Sequence, residues 1–209
     1  MLAKCSLTLA VLFSFATALF AQDKTSDLSL NVAGVVTTQS ENNGVLQTSS
    51  NSGALLATFR HHFSPRIAAG LNYSLTKNTQ YYTVSAAGTS ASFYNVQSYV
   101  NEASADLVLS PFHRGRLDPF LLAGGGALIF SPTGYSGGTS SQEQQVRPAF
   151  LYGGGTDVNV FRNVALRLQY RGLLYRAPDF GVTTLSTNMI THTAEPSVGI
   201  VYYFSLPRL

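Results

Sequence analysis

Residues 164 to 175 read Val-Ala-Leu-Arg-Leu-Gln-Tyr-Arg-Gly-Leu-Leu-Tyr. Side chains alternate faces along an extended strand, so Arg167, Gln169 and Arg171 share one side while Leu166, Leu168 and Tyr170 share the other. Guanidiniums gathered on one face present forked donors that suit carboxylates. The same alternation elsewhere puts Arg60, His62, Glu102, Asp106, Asp157 and Glu195 on matching positions. The expected chemistry is charge pairing, three guanidiniums against four carboxylates with one histidine.

Other patterns point toward catalysis and weaken on inspection. Gly134-Tyr135-Ser136-Gly137-Gly138 matches the G-x-S-x-G nucleophile elbow, and Asp157 or Asp179 and then His192 follow in hydrolase order. That elbow needs a strand before it and a helix after it, but Thr139 to Gln145 has no apolar stripe to pack a helix on a sheet. Ser74-Leu-Thr-Lys77 matches S-x-x-K but lacks the S-D-N and K-T-G partners. His61 and His62 are adjacent on a strand and face opposite sides, and His113 and His192 have no H-E-x-x-H context, so no metal site is expected. Gly124 to Gly126 and Gly153 to Gly155 lack phosphate-loop spacing and read as points of close strand packing. No catalytic residue, cofactor or metal is expected.

The elements that must position the charged face are strands. Alternation of apolar and polar residues recurs near 28–38, 53–63, 67–76, 98–109, 119–130, 148–160, 164–176 and 192–204, each close to the length of a tilted membrane-spanning strand. Outward positions are Leu28, Leu30 and Val32, then Leu55, Ala57 and Phe59, then Ile67, Ala69, Leu71 and Tyr73, then Ala103, Ala105, Leu107 and Leu109. Later strands continue with Phe120, Leu122 and Leu128, with Phe150, Tyr152 and Val158, with Leu166, Leu168 and Tyr170, and with Val198, Ile200, Tyr202 and Phe204. Three connections are short or fairly short. The other four, 39–52, 77–97, 131–147 and 177–191, are long and rich in Ser, Thr, Asn, Gly and Gln, as solvent-exposed loops should be. Short turns alternating with long loops are the habit of outer-membrane barrels, with the turns in the periplasm. Pro148 and Pro196 fall within strands and remove ladder donors, which a closed barrel must absorb by local fraying or a bulge.

Export explains how such a chain reaches a membrane. Lys4 followed by the apolar run Leu7 to Phe15 reads as a secretory signal peptide over 1–21, leaving 22–209 as one barrel domain. Cleavage after Ala18 satisfies the small-x-small rule, whereas cleavage after Ala21, the expected site, leaves the polar start Gln-Asp-Lys. Cys5, the only cysteine, leaves with the signal, so disulfides and thiolate zinc sites are excluded from the exported domain. Removing Lys4 takes the net charge from +3 to +2, too small to argue for a nucleic-acid partner. After the signal no apolar run approaches 18 residues, which excludes helical spans and leaves a barrel as the route into a membrane.

The signal, the alternating strands, Pro119-Phe-Leu-Leu-Ala-Gly-Gly-Gly-Ala, Leu166-Arg-Leu-Gln-Tyr-Arg and the closing Pro196-Ser-Val-Gly-Ile-Val-Tyr-Tyr-Phe together resemble the small outer-membrane β-barrel family, which includes opacity-type and OmpX-like proteins. The resemblance implies an all-β, eight-stranded, antiparallel up-and-down barrel in the cell outer membrane. It also implies that Tyr202 and Phe204 serve as the C-terminal signal read by the barrel assembly machinery, although Ser205 to Leu209 follow here. Lipid A deacylases use barrels of the same size with a His-x-Ser motif, but His192-Thr193-Ala194 has alanine at the serine position.

Barrels of eight strands have an interior just filled by side chains. The expectation is therefore a monomer with a plugged lumen built on Arg60, His62, Glu102, Asp106, Asp157, Arg167, Gln169, Arg171 and Glu195. It would contact outer-membrane lipid and use its long loops for structural or adhesion-like contact with an extracellular ligand. Tyr81, Tyr82, Phe93 and Tyr94 offer aromatic surface for that contact. The alternatives are a narrow passive channel, or a lipid A-modifying or serine hydrolase barrel.

Overall fold

The computed structural model describes residues 25–85, 90–112, 115–136 and 142–205. The expected signal peptide and cleavage sites lie outside these residues. Among the described residues ten strands are present: β1 (Ser26–Thr37), β2 (Ser40–Asn42), β3 (Val45–Ser49), β4 (Ser52–His62), β5 (Ile67–Val84), β6 (Ser92–Leu109), β7 (Leu117–Ser136), β8 (Gln145–Phe161), β9 (Val164–Arg176) and β10 (Ile190–Phe204). Eight of them close a ring, each antiparallel to its neighbours in the order β1, β4, β5, β6, β7, β8, β9, β10, with β10 returning to β1. β2 and β3 form a small hairpin that continues the wall above β4 by pairing with the far end of β5. The eight-stranded antiparallel barrel expected from alternation is the fold observed.

Strand ends differ from expectation at the loop end. Residues 77–84 and 92–97, read as loop, continue β5 and β6, which pair from Ile67↔Leu109 to Val84↔Ser92. The connection 131–147 likewise begins and ends as strand. Apolar alternation marks only the part of a strand with a greasy outer face. Beyond it the contrast inverts, with Tyr82 and Val96 buried on the inner face and Lys77 and Gln97 on the outer one, and backbone pairing continues without the expected greasy outer face.

The outer face is apolar around the middle of the barrel. Leu30, Leu71 and Ile200 are each 62% exposed, and Leu28, Leu55, Leu107, Leu166, Leu168 and Val198 also face outward. β7 departs from the expected parity: Phe120, Leu122 and Leu128 are buried inside, while Leu121 is 59% exposed. The segment from Phe120 to Phe130 is apolar on both faces, so alternation carries no information there. Its neighbours decide instead, because Asp106↔Gly124 and Glu102↔Leu128 are cross-strand partners and share a face. Gly124 permits this approach, since a Cβ there would collide with the backbone of Ala105 and Asp106.

Both prolines sit where the ladder is interrupted. Pro148 pairs with Ala127 of β7, and the β8–β9 ladder begins one residue later at Ala149↔Tyr175. Pro196 keeps its pairing with Tyr170 of β9, but the β1–β10 ladder skips from Ala33↔Ser197 to Val36↔Ala194. The lost donor is thus confined to one side of each strand.

Candidate functional site in the lumen

The turn end of the lumen is an ionic network. Arg167, fully buried on β9, donates from Nε and Nη2 to the two oxygens of Asp157 on β8, each at 2.7 Å. Nη2 also reaches Asp27 Oδ1 at 3.2 Å, and Nη1 donates to Ser29 Oγ at 3.1 Å. Tyr203 donates its hydroxyl to Asp157 at 2.9 Å, and His62 Nε2 lies 2.8 Å from Asp27 Oδ2. Arg60 donates to Gln169 Oε1 at 3.1 Å and lies 4.2 Å from the Phe120 ring centre, with Arg167 5.3 Å from the same ring. Phe120 therefore lies beside two guanidiniums and offers each its electron-rich face.

One layer higher, Arg171 joins two strands that are not neighbours. Its Nη2 contacts Glu102 of β6 and lies 2.9 Å from Glu195 Oε2 of β10. Ser104 donates to the other Glu102 oxygen at 2.6 Å. Asp106 accepts from Asn72 at 2.7 Å, and Asn72 in turn accepts from Thr58 at 2.8 Å. All nine residues proposed for the network point into the barrel. The structure adds Asp27, which alternation misses because it precedes the first apolar residue of β1, and Tyr203, which hides between the outward Tyr202 and Phe204. Among the described residues the interior then holds five carboxylates, Asp27, Glu102, Asp106, Asp157 and Glu195, against the three guanidiniums.

Two residues above Arg171, the lumen changes character. Leu173, Tyr175, Phe130, Leu128, Leu151 and Val100 form an apolar socket toward the loop end. The connection 177–191, expected as an exposed loop, folds back into it: Phe180 and Leu185, the latter in a short 3-10 turn (Thr183–Leu185), are completely buried. Phe180 packs edge-on against Phe130, with ring centres 6.3 Å apart. Its backbone holds φ at +53°, in a region a bulky residue rarely adopts, which the surrounding contacts must sustain.

Those contacts are specific. Gln145 Oε1 accepts from the backbone N–H of Asp179 and Phe180 at 3.0 and 3.2 Å, while its amide donates to Asp179 Oδ1 at 2.6 Å. Arg147 Nη2 lies 3.2 Å from the same Asp179 oxygen. Burial raises the Asp179 carboxyl, but hydrogen bonds from Gln145, the Gly181 N–H and Ser186, with the Arg147 charge, outweigh it and hold the group below its ordinary value. Tyr82 donates to Pro178 O at 2.8 Å, and Asn42 donates to Thr187 O at 3.1 Å. Tyr82 is thus part of the socket, in contrast to the surface role expected for it. Tyr81 and Phe93 are exposed, and Tyr94 is half-buried against Tyr135.

Between plug and network lies a cavity of about 20 Å³, room for roughly one or two waters. It is bordered by Glu102, Glu195, Tyr175 and Thr193. The hydrolase-like residues do not converge. Ser136 stands eighteen residues up β7 from Asp118, the partner of Asp157, a separation of roughly 60 Å at strand rise. His192 bonds to the Tyr152 hydroxyl at 2.9 Å and stacks on its ring. Ser74 is buried in the lumen while Lys77, three residues on, lies outside over Tyr99. Gly137 and Gly138 lie outside the described residues. Tyr202 faces outward and stacks on Phe204, with ring centres 6.4 Å apart.

No protein-family model and no curated protein matches the chain. Solved structures do. The outer membrane protein OprG from Pseudomonas aeruginosa aligns with TM-score 0.57 and 13% identity over 89% of this chain and 99% of that one. Neisserial surface protein A aligns with TM-score 0.53 and 15% identity over 86% and 97%. Ail, the attachment invasion locus protein of Yersinia pestis, aligns with TM-score 0.51 and 15% identity over 88% and 100%. At these identities the likeness is one of fold, and the fold is that of the small outer-membrane β-barrels.

Proposed function

We propose that the chain is a monomeric outer-membrane barrel without enzymatic activity, closed to passage, whose role is structural or surface-interacting. Export depends on the signal at 1–21, and insertion on the barrel assembly machinery reading Tyr202 and Phe204. The observation that carries the closed lumen is its double filling: paired ions at the turn end, and Phe180 with Leu185 seated in the socket at the loop end. Interaction with an extracellular ligand then falls to the outside of the extended β5–β6 hairpin, where Tyr81 and Phe93 are exposed. A surface protein among the similar folds, Ail, is named for attachment and invasion, which supports an adhesive reading.

Planar-bilayer recording of the refolded protein tests the closure. Little or no current is expected, and steady unitary conductance would instead establish a narrow passive channel, the reading favoured by the cavity beside Glu102 and Glu195. The surface role is tested by displaying the wild type and a Tyr81→Ser/Phe93→Ser variant on cells. Binding to host surfaces or matrix that is equal in the two would remove the hairpin from that role.

A further inference from the structure

We infer that Glu102 and Glu195 hold one exchangeable proton between them, reached from the loop end by a hydroxyl-lined path that passes beside the plug. Glu195 faces Arg171 directly across the β9–β10 ladder, and Glu102 approaches the same guanidinium from β6. Both carboxylates converge on Nη2, while Nε and Nη1 have no hydrogen-bond partner among the described residues. One positive charge therefore stands against two negative ones, in a layer where Arg171 is fully buried and both acids nearly so. A buried charge without a counter-charge is costly, and of two carboxylates that share a site one keeps its proton. Neighbouring groups do not supply the missing charge. Arg60 and Arg167 are engaged in the layer below with Gln169, Asp27 and Asp157. Asp106, on the same face of β6, is itself acidic and accepts from Asn72, and Tyr175 brings only a phenol. The side chains that β1, β5 and β7 contribute to the cavity are all uncharged.

The cavity of about 20 Å³ beside the two glutamates is followed toward the loop end by a second of about 10 Å³. Thr37 and Tyr175 border both. Thr193 joins them, bonded to the Tyr175 hydroxyl at 2.9 Å and to Thr37 Oγ1 at 2.8 Å. Each hydroxyl both donates and accepts, so the trio can reverse its hydrogen bonds and hand a proton along. The second cavity is lined by Ser40, Gln47, Ser49 and Gln80, and it reaches Thr38, which is exposed. Phe180 and Leu185 border neither cavity, so the plug stays seated while a proton passes. Neither space admits an ion with its hydration shell, which makes this a route for protons in a lumen closed to larger ions.

Infrared spectroscopy of the full mature chain refolded into lipid vesicles reads the proton as the stretching band of a protonated carboxyl at neutral pH. Such a band should be present in the wild type and lost in Glu195→Gln. It should be lost equally in Glu102→Gln, because the acid that remains then has Arg171 to itself. A band that survives Glu102→Gln belongs to an acid buried alone and overturns the inference, as does a spectrum whose only such band disappears in Asp106→Asn. No band in the wild type overturns it too, and leaves the surplus charge to an alkali cation. Should a glutamine variant fail to fold, the wild-type carboxyl carbons seen by isotope-edited NMR must include one protonated glutamate at neutral pH, and none overturns the inference equally. Transfer into deuterium oxide then reads the path. Thr193→Val should keep the band and slow its isotope shift severalfold, and an unchanged rate overturns the route. If Thr193→Val loses the heat-dependent gel shift of the folded barrel, Thr37→Val must slow the exchange instead, and no slowing is equally fatal.

Discussion

Arg167 and Asp157 face each other directly across the β8–β9 ladder and meet through two hydrogen bonds of 2.7 Å, Arg167 fully buried and Asp157 nearly so. Asp27 shares the same guanidinium. Removing a buried partner strands the charges it served, and for such pairs the loss is about 3 to 5 kcal/mol. Arg167→Met should lower unfolding free energy in urea, measured in lipid vesicles, by an amount in that range. Arg167→Met combined with Asp157→Leu should recover part of it, because the second change removes one of the stranded carboxylates.

Leu168 and Gln169 are successive residues with opposite surroundings, one exposed in the apolar belt and the other buried beside Arg60. An arginine placed on the lipid face near mid-depth costs about 2 to 4 kcal/mol. Leu168→Arg and Ile200→Arg should each destabilise the inserted barrel by that amount in urea titrations. A bilayer-quenching label attached at Leu168→Cys should be quenched by brominated acyl chains, whereas one at Gln169→Cys should not.

Phe180 is held in its socket despite an unfavourable backbone angle, so its ring burial outweighs the strain. Phe180→Ala should release residues 177–189 without unfolding the barrel, since that segment, which ends before β10 begins at Ile190, contributes no strand to the ring. Truncating a buried Phe costs roughly 3 to 5 kcal/mol, offset in part by whatever strain is relieved. Limited proteolysis should cut this segment much faster in the variant, while the heat-dependent shift in detergent gels persists.

The latch through Asp179 gives the plug a pH dependence of definite sign. Its carboxyl titrates below the ordinary value of 3.8 when folded, so its contribution is fully present above that value and fades as pH falls through the lower folded one. Protection factors across 177–189, that is, exchange rates relative to the intrinsic rate at each pH, should therefore fall as samples are taken from neutrality to below pH 4, measured before any global unfolding. Asp179→Asn should flatten that response, and because Gln145 and Arg147 lose an anionic partner it should also raise exchange at neutral pH.

Alternation is informative where the two faces of a strand differ, and β9 is the clearest case: Arg167, Gln169 and Arg171 on one side and Leu166, Leu168 and Tyr170 on the other leave a single way to place the strand against lipid. The eight strands of the ring and their antiparallel order follow from the same pattern, because a hydrogen-bonded wall with one greasy face must close on itself. These features belong to the chain alone.

Other features belong to contacts between distant segments. The parity of β7 depends on Asp106 and Glu102 across the ladder, since Phe120 to Phe130 is apolar whichever way it turns. The recruitment of Asp27 and Tyr203 depends on where β1 and β10 meet. The plug is the extreme case: 177–191 has the polar composition of an exposed loop, and only the socket built by β5, β7 and β9 turns Phe180 and Leu185 into buried residues. Local sequence sets which face of a strand avoids water, but a space enclosed by strands far apart in the chain exists only once the ring has closed.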